Sequence, residues 1–167
     1  PQVPLVVPEV NPEDIHSHKG IIANPNCSTI QMVVALNPLH EVSPIKRIVV
    51  STYQAVSGMG AAAMEELRQQ TAQMMEGEAE QITPRAYPHQ IAFNAIPFVE
   101  SFLDNDYTTE EWKMVQETRK ILHDQNMPIS ATCVRVPVYI GHGEAVNVEF
   151  GQPMSAQEAR AILSRAP

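Results

Sequence analysis

An α+β fold, with a mixed and largely antiparallel sheet carrying helices on one face, is what this sequence predicts. Three observations predict it. Segments rich in β-branched residues outnumber the amphipathic ones. Two of them, Ile129–Ile140 and Glu144–Phe150, flank a Gly141-His142-Gly143 turn in the manner of a hairpin. Capping boxes, Thr108 to Glu111 and Ser155 to Glu158, mark the starts of two helices. The size agrees: 167 residues, 44% hydrophobic and 18% charged, make one ordinary domain that buries about 70% of its unfolded surface.

Taken in order, Val3–Val10 reads as an apolar strand broken by prolines, and Asn11-Pro12-Glu13-Asp14 as a turn. Gly20–Ala23 is a second short apolar strand. Both strands look made for covering on two faces, which is expected of a chain whose neighbouring strands lie upstream. A helical run from Thr29 to Leu36 follows, closed by Pro38. Ile45–Tyr53 alternates as a strand and leads through Ser57-Gly58-Met59-Gly60 into a helix over about Ala61–Met75. Met64, Leu67, Thr71 and Met74 are its expected inner stripe, with Glu65, Glu66, Arg68 and Gln69 outside. Residues 77–90 lack a period and read as an exposed loop. Ile91–Phe98 is a short strand that Pro97 ends. The helix begun at Thr108 buries Trp112, Val115 and Leu122; the one begun at Ser155 packs Ala159, Ile162 and Leu163.

The composition excludes several classes. A formal net charge of -8 with no Lys/Arg block argues against a nucleic-acid partner. No apolar run approaches the roughly 20 residues that span a bilayer, so no membrane role is expected. The opening Pro1-Gln2-Val3-Pro4 has no basic leader and no initiator Met, as in a processed chain or an excised piece of a longer one. Cys27 and Cys133 are expected as free thiols in a reducing cytoplasm. Neither a CxxC pair nor a zinc-type Cys/His cluster occurs, so no metal site is expected.

Chemistry concentrates at Asn24-Pro25-Asn26-Cys27-Ser28-Thr29. Pro25 makes a turn, because the residue before a proline avoids helical geometry. Asn26, Ser28 and Thr29 are good caps, which puts Cys27 at or beside a helix N-terminus. Unpaired N–H groups and the helix dipole favour an anion there, the setting of a nucleophilic thiol. A buried, inert cysteine is the plain alternative. Gly58-Met59-Gly60-Ala61-Ala62-Ala63 matches the dinucleotide fingerprint G-x-G-x-x-A, but no second βαβ unit follows. Small residues there let a backbone pass close to something flat or charged. His142 lies between two glycines, where an imidazole projects from a turn. Arg135 precedes it by an odd offset, so strict alternation sets the two on opposite faces unless Pro137 carries a bulge. Gln54 ends a strand; Glu110 and Lys113 share a helix face.

Together, Asn24–Thr29, Gln54-Ala55-Val56-Ser57-Gly58, Glu110-Glu111-Trp112-Lys113 and Arg135-Val136-Pro137-Val138-Tyr139-Ile140-Gly141-His142 resemble the aspartate-β-semialdehyde dehydrogenase family. The likeness covers the family's central catalytic and dimerisation region; the N-terminal nucleotide-binding region and the closing C-terminal segment have no counterpart. It implies a domain like the C-terminal domain of glyceraldehyde-3-phosphate dehydrogenase, with residues 1–26 as remnant strands of a nucleotide-binding domain and 27–167 as the catalytic and dimerisation domain.

The reaction implied is reversible, NADP-dependent reductive dephosphorylation of aspartyl phosphate to aspartate semialdehyde. Cys27 is then the nucleophile that forms a thioester, and His142 the acid/base, since an imidazole's ordinary pKa of about 6.5 suits both directions. Gln54 orients the substrate and Arg135 clamps its carboxylate. Glu110 binds the amino group, Lys113 and Asn26 hold the phosphate, and Ser57 and Gly58 approach the nicotinamide. A homodimer is implied, with NADP bound mainly outside this chain. Two alternatives stay open: a dimerisation module with no activity of its own, and a related acyl-phosphate or acyl-CoA reductase.

Overall fold

The β-branched run Ile45–Gln54 forms the central strand of a sheet in the computed structural model, which describes residues 3–166. Residues 1, 2 and 167 lie outside the described residues, so the predicted segment 1–26 is described from Val3 onward. In chain order the regular elements are α1 (Cys27–Val42), β1 (Ile45–Gln54), α2 (Ala61–Met75), α3 (Thr109–Ile121), β2 (Ile129–Arg135), β3 (Gly143–Phe150) and α4 (Ala156–Leu163). The strand order is β2-β1-β3. Ile48 N–H donates to the Pro128 carbonyl and Val136 N–H to the Gln54 carbonyl, so β1 and β2 run in the same direction. Gly151 N–H donates to the Pro44 carbonyl while Gly143 lies beside Tyr53, which makes β3 antiparallel to β1. The sheet is mixed.

The predicted hairpin between Ile129–Ile140 and Glu144–Phe150 does not form, because β1 lies between its two strands. Pro137 has no N–H for a ladder; β2 stops at Arg135, and the chain turns away before β3 begins. The apolar segments near the N-terminus pair only as a parallel bridge, Leu5 with Ala23, and Ile91–Phe98 contributes a single bridge, Ile96 with Arg135.

Chain contacts divide the molecule into two compact units: Pro1–Val50 with Glu111–Ala131 and Val146–Pro167, and Ser51–Glu110 with Thr132–Ala145. In the first unit, Leu5, Val7, Val33 and Ile121 form a core joined by Val10, Ala23, Ile30, Val34 and Leu122. Ile21 and Ile22 stay exposed. Helix α1 runs past Pro38 to Val42 where the sequence predicted it to stop. Proline loses one i→i−4 bond, at about 3 kcal/mol in a helix interior. Burial of Leu36 and Leu39 on either side of it, at about 1.5–3 kcal/mol per side chain, offsets that loss. Helix α4 carries the predicted capping box in full: Ser155 accepts from Glu158 N–H and Glu158 accepts from Ser155 N–H.

The second unit packs Val56, Ala63, Leu67, Tyr87, Ile91, Ala92 and Ile96, with Met64, Met74, Ala86 and Phe98 at the margin. Here α2 departs from the predicted stripe, since Glu66 and Gln70 are buried. The cause lies in the chain after it, which has no ladder of its own. Glu66 takes the N–H groups of Arg85 and Ala86 and is steadied by the Gln70 amide. The Gln70 carbonyl takes the N–H groups of Ile91 and Ala92. Buried amides need acceptors, and two side chains of α2 supply them. Replacing Gln70 by Ala should lower stability by about 2–4 kcal/mol, since two buried donors lose their partner. Urea unfolding measures this, and a loss below about 0.5 kcal/mol would show that those amides have other partners.

Candidate active site

In the first unit, Asn26 caps α1 and Cys27 is the first residue of the helix. Asn26 has extended backbone (φ -57°, ψ 142°), and its side-chain oxygen accepts from Ser28 N–H at 3.0 Å and Thr29 N–H at 3.2 Å. Its own N–H donates to the Glu117 carboxylate at 2.7 Å, which ties the start of α1 to α3. Lys113 lies one turn before Glu117 on that helix, and residues four apart share a face. Cys27 is exposed and Cys133 is buried. The Asn26 Oδ1 is thus turned to the helix N–H groups.

The second unit gathers the other candidates around one peptide. Ala55 N–H donates to His142 Nδ1 at 2.9 Å, and the Ala55 carbonyl accepts from Arg135 Nη1 at 2.7 Å. The following amides continue the seam: Val56 N–H donates to the Val138 carbonyl and Ser57 N–H to the Tyr139 carbonyl. Arg135 is 5% exposed, with its guanidinium carbon 5.9 Å from the centre of the Tyr87 ring. A guanidinium has five N–H donors, so one bond to Ala55 leaves a fork suited to a carboxylate. Gln54 is the last member of the inward series Ile48, Val50, Thr52, Gln54 on β1, and its amide donates to Glu110 Oε1 at 3.1 Å. Both residues are buried.

Gly58 completes the cluster. A Cβ on it would stand 3.2 Å from Arg135 Nη1 and 3.4 Å from His142 Cε1 and Nε2. The bare backbone therefore lies against both side chains. Gly60 serves another purpose, as the cap of α2 with a φ of 84°. The two glycines of the fingerprint are thus there for packing and for a turn.

Burial holds the His142 imidazole below its ordinary pKa; the Arg135 cation adds to this and the Glu110 carboxylate opposes it. Neutral imidazole is therefore the resting form at neutral pH.

The structure brings Gln54, Gly58, Glu110, Arg135 and His142 together in one unit, with Ser57 in the same seam. It sets Asn26, Cys27 and Lys113 in the other. Alternation did not separate Arg135 from His142, because the chain leaves the sheet at Pro137. Two participants escaped the sequence reading. Tyr87 lies in the stretch taken for an exposed loop, where a lone aromatic in a polar run was the available signal. Ala55 acts through its peptide, which no residue type reveals.

Fold and residues define an α+β domain with a thiol at a helix start, an imidazole and a guanidinium on one peptide, and a buried amide–carboxylate pair in the same unit as that peptide. Residues 36–167 match the family described as semialdehyde dehydrogenase, dimerisation domain. The chain is 58% identical to the aspartate-semialdehyde dehydrogenase of Aquifex aeolicus over all of its own length and 49% of that protein. It superposes on aspartate semialdehyde dehydrogenase II of Vibrio cholerae, solved complexed with ASA, with a TM-score of 0.95 at 50% identity, covering 99% of this chain and 49% of that one. The aspartate semialdehyde dehydrogenase of Candida albicans, solved with NADP, matches with a TM-score of 0.69 at 27% identity, over 98% and 45% of the two chains. This chain belongs to the semialdehyde dehydrogenase family, through its dimerisation domain. It spans about half the length of the relatives it matches. Among the described residues no helix is long and apolar enough to cross a membrane.

Cys27 should alkylate with iodoacetamide well before Cys133, because only the former is open to solvent; peptide mapping that finds equal rates would contradict the placement. The His142 imidazole should titrate below 6.5 in an NMR pH series. Its folded pKa is depressed, so the unfolded chain binds the proton more readily in this range. The contribution of His142 to stability is then full above about 6.5 and is lost as pH falls through the folded pKa. Stability of the wild type relative to His142→Gln should fall in that window and in no other.

Proposed function

We propose that this chain is the catalytic and dimerisation part of an aspartate-semialdehyde dehydrogenase that converts L-aspartyl 4-phosphate and aspartate 4-semialdehyde into one another through a cysteine thioester. The convergence of Arg135 and His142 on the Ala55 peptide, in a chain of this family, carries the reading. It supplies a fixed cation for a carboxylate beside a neutral imidazole. Cys27 attacks the acyl phosphate; the C–S bond forms, the C–O bond to phosphate breaks, and phosphate leaves with that electron pair. Lys113 and the Asn26 amide hold the phosphate. Arg135 takes the substrate carboxylate, Glu110 its ammonium group, and Gln54 orients the acyl carbon. His142 is the acid/base, taking the thiol proton of Cys27 and later protonating the oxygen of the collapsing thiohemiacetal.

NADP fits the exposed Gly58, where the backbone has no side chain beside the Nε2 edge of His142. When bound, NADPH supplies the hydride that reduces the thioester. Ser57 and Gly58 approach its nicotinamide, and the rest of the cofactor is held mainly by residues outside this sequence. Residues 1–26 are the end of that nucleotide-binding part and 27–167 the catalytic and dimerisation domain. The protein acts in the cytoplasm as a homodimer.

A second reading is favoured by the half-length match: taken alone, the chain associates and turns over nothing. An assay of the 167-residue chain with aspartate semialdehyde, phosphate and NADP should give negligible NADPH; robust turnover would show that no further domain is needed. In the full-length enzyme, Cys27→Ala should abolish the acyl-enzyme seen by mass spectrometry of quenched reactions. An acyl adduct persisting in that variant would remove Cys27 from the mechanism.

A further inference from the structure

The Asn26 side chain keeps one orientation at the start of α1, and the bond made by its own N–H fixes the backbone beneath it. Its oxygen accepts from Ser28 and Thr29 N–H, which turns the amide nitrogen, a donor, to the opposite edge. Pro25, the residue before, has no N–H to bond, so a tie to this turn falls on the Asn26 amide. That amide meets the Glu117 carboxylate at 2.7 Å, across 91 residues of sequence. Such a charge-assisted bond is stronger than one between neutral groups. Glu117 is itself firmly mounted, because Met114, Val115, Thr118 and Ile121 of α3 are buried. Lys113 and Glu117 stand half-buried along the border of that stripe, one turn apart. Helix geometry sets their Cβ atoms about 6 Å from one another. All of these residues belong to the first unit. We propose that Glu117 is a positioning residue of the phosphate site: by holding the Asn26 N–H it keeps the Asn26 amide in register with Lys113, so that the two receive phosphate together.

This rests on the reading that Lys113 and Asn26 hold the phosphate. A carboxylate beside such a site looks adverse, since it repels the anion. Its acceptor and its charge act in opposite senses, however. As an acceptor it orders the Asn26 donor before phosphate arrives, so less ordering remains to be done on binding. As a charge, one turn from the Lys113 ammonium, it offsets part of the attraction and lets the anion leave. Phosphate departs in one direction of the reaction and enters in the other, and a site that is ordered without being strongly cationic suits both. Glu117 acts through Asn26 and makes or breaks no bond of the substrate.

Steady-state kinetics of the full-length enzyme, with aspartate semialdehyde, NADP and varied phosphate, test this. Glu117→Ala removes the acceptor and should raise KM for phosphate about 10-fold or more, leaving KM for aspartate semialdehyde within about twofold. Glu117→Gln keeps an acceptor oxygen without the charge, and KM for phosphate should return to the wild-type value or fall below it. A Gln variant as impaired as the Ala variant overturns the hydrogen bond as the means. Equal rises in both KM values, or a fall in kcat alone, would make Glu117 a general support of the fold and overturn the proposal as well. If Glu117→Ala does not fold, Glu117→Asp keeps the charge and draws the acceptor back by one methylene. Phosphate KM should rise in that variant, and an unchanged value refutes the tie. Lys113→Ala separates the proposal from the reading beneath it. Phosphate KM unmoved there defeats the assignment of Lys113 to phosphate, and the proposal with it. A raised KM in Lys113→Ala with none in Glu117→Ala defeats the role of Glu117 alone.

Discussion

One peptide group organises the second unit. Ala55 has one donor and one acceptor; the first meets His142, in the turn before β3, and the second meets Arg135, the last residue of β2. Because a backbone dipole cannot swing as a side chain does, the imidazole and the guanidinium inherit the rigidity of the strand end that carries it. Burial then removes competing water and strengthens both bonds. The Tyr87 ring beside the guanidinium and the missing side chain at Gly58 follow from the same requirement, since both let the cluster close on that peptide.

The turn before α1 obeys a different constraint. Cys27 opens that helix, and a helix start leaves N–H groups without partners. Asn26 answers two of them with one oxygen, while Glu117 fixes the Asn26 backbone from α3. The cap therefore depends on the third helix as much as on its own sequence.

Much of this was legible in the residues. Pro25 and Asn26 announced the start of α1, the Ser155–Glu158 pair announced α4, and alternation along β1 carried Gln54 to the buried face. What failed did so for tertiary reasons. Pro38 looked like a stop, but buried leucines on both sides hold the helix through it. Glu66 looked solvated, but it accepts from two backbone N–H groups of the loop that follows α2. The hairpin looked secure from its glycines, yet Pro137 breaks the ladder and β1 takes the central place. Strand order is a property of the whole sheet, and local spacing does not encode it. A peptide that works through its main chain leaves no mark in residue type at all.

The anchoring of Arg135 has a bearing on which acids the proposed site would accept. A lysine or a loosely held arginine follows its counter-ion and so tolerates ligands of many sizes. A guanidinium pinned by a carbonyl on one side and stacked near a ring on the other stays where it is. Such a charge behaves like the zero mark of a ruler: it sorts dicarboxylate-derived ligands by the number of carbons between their ends, and not merely by their sign.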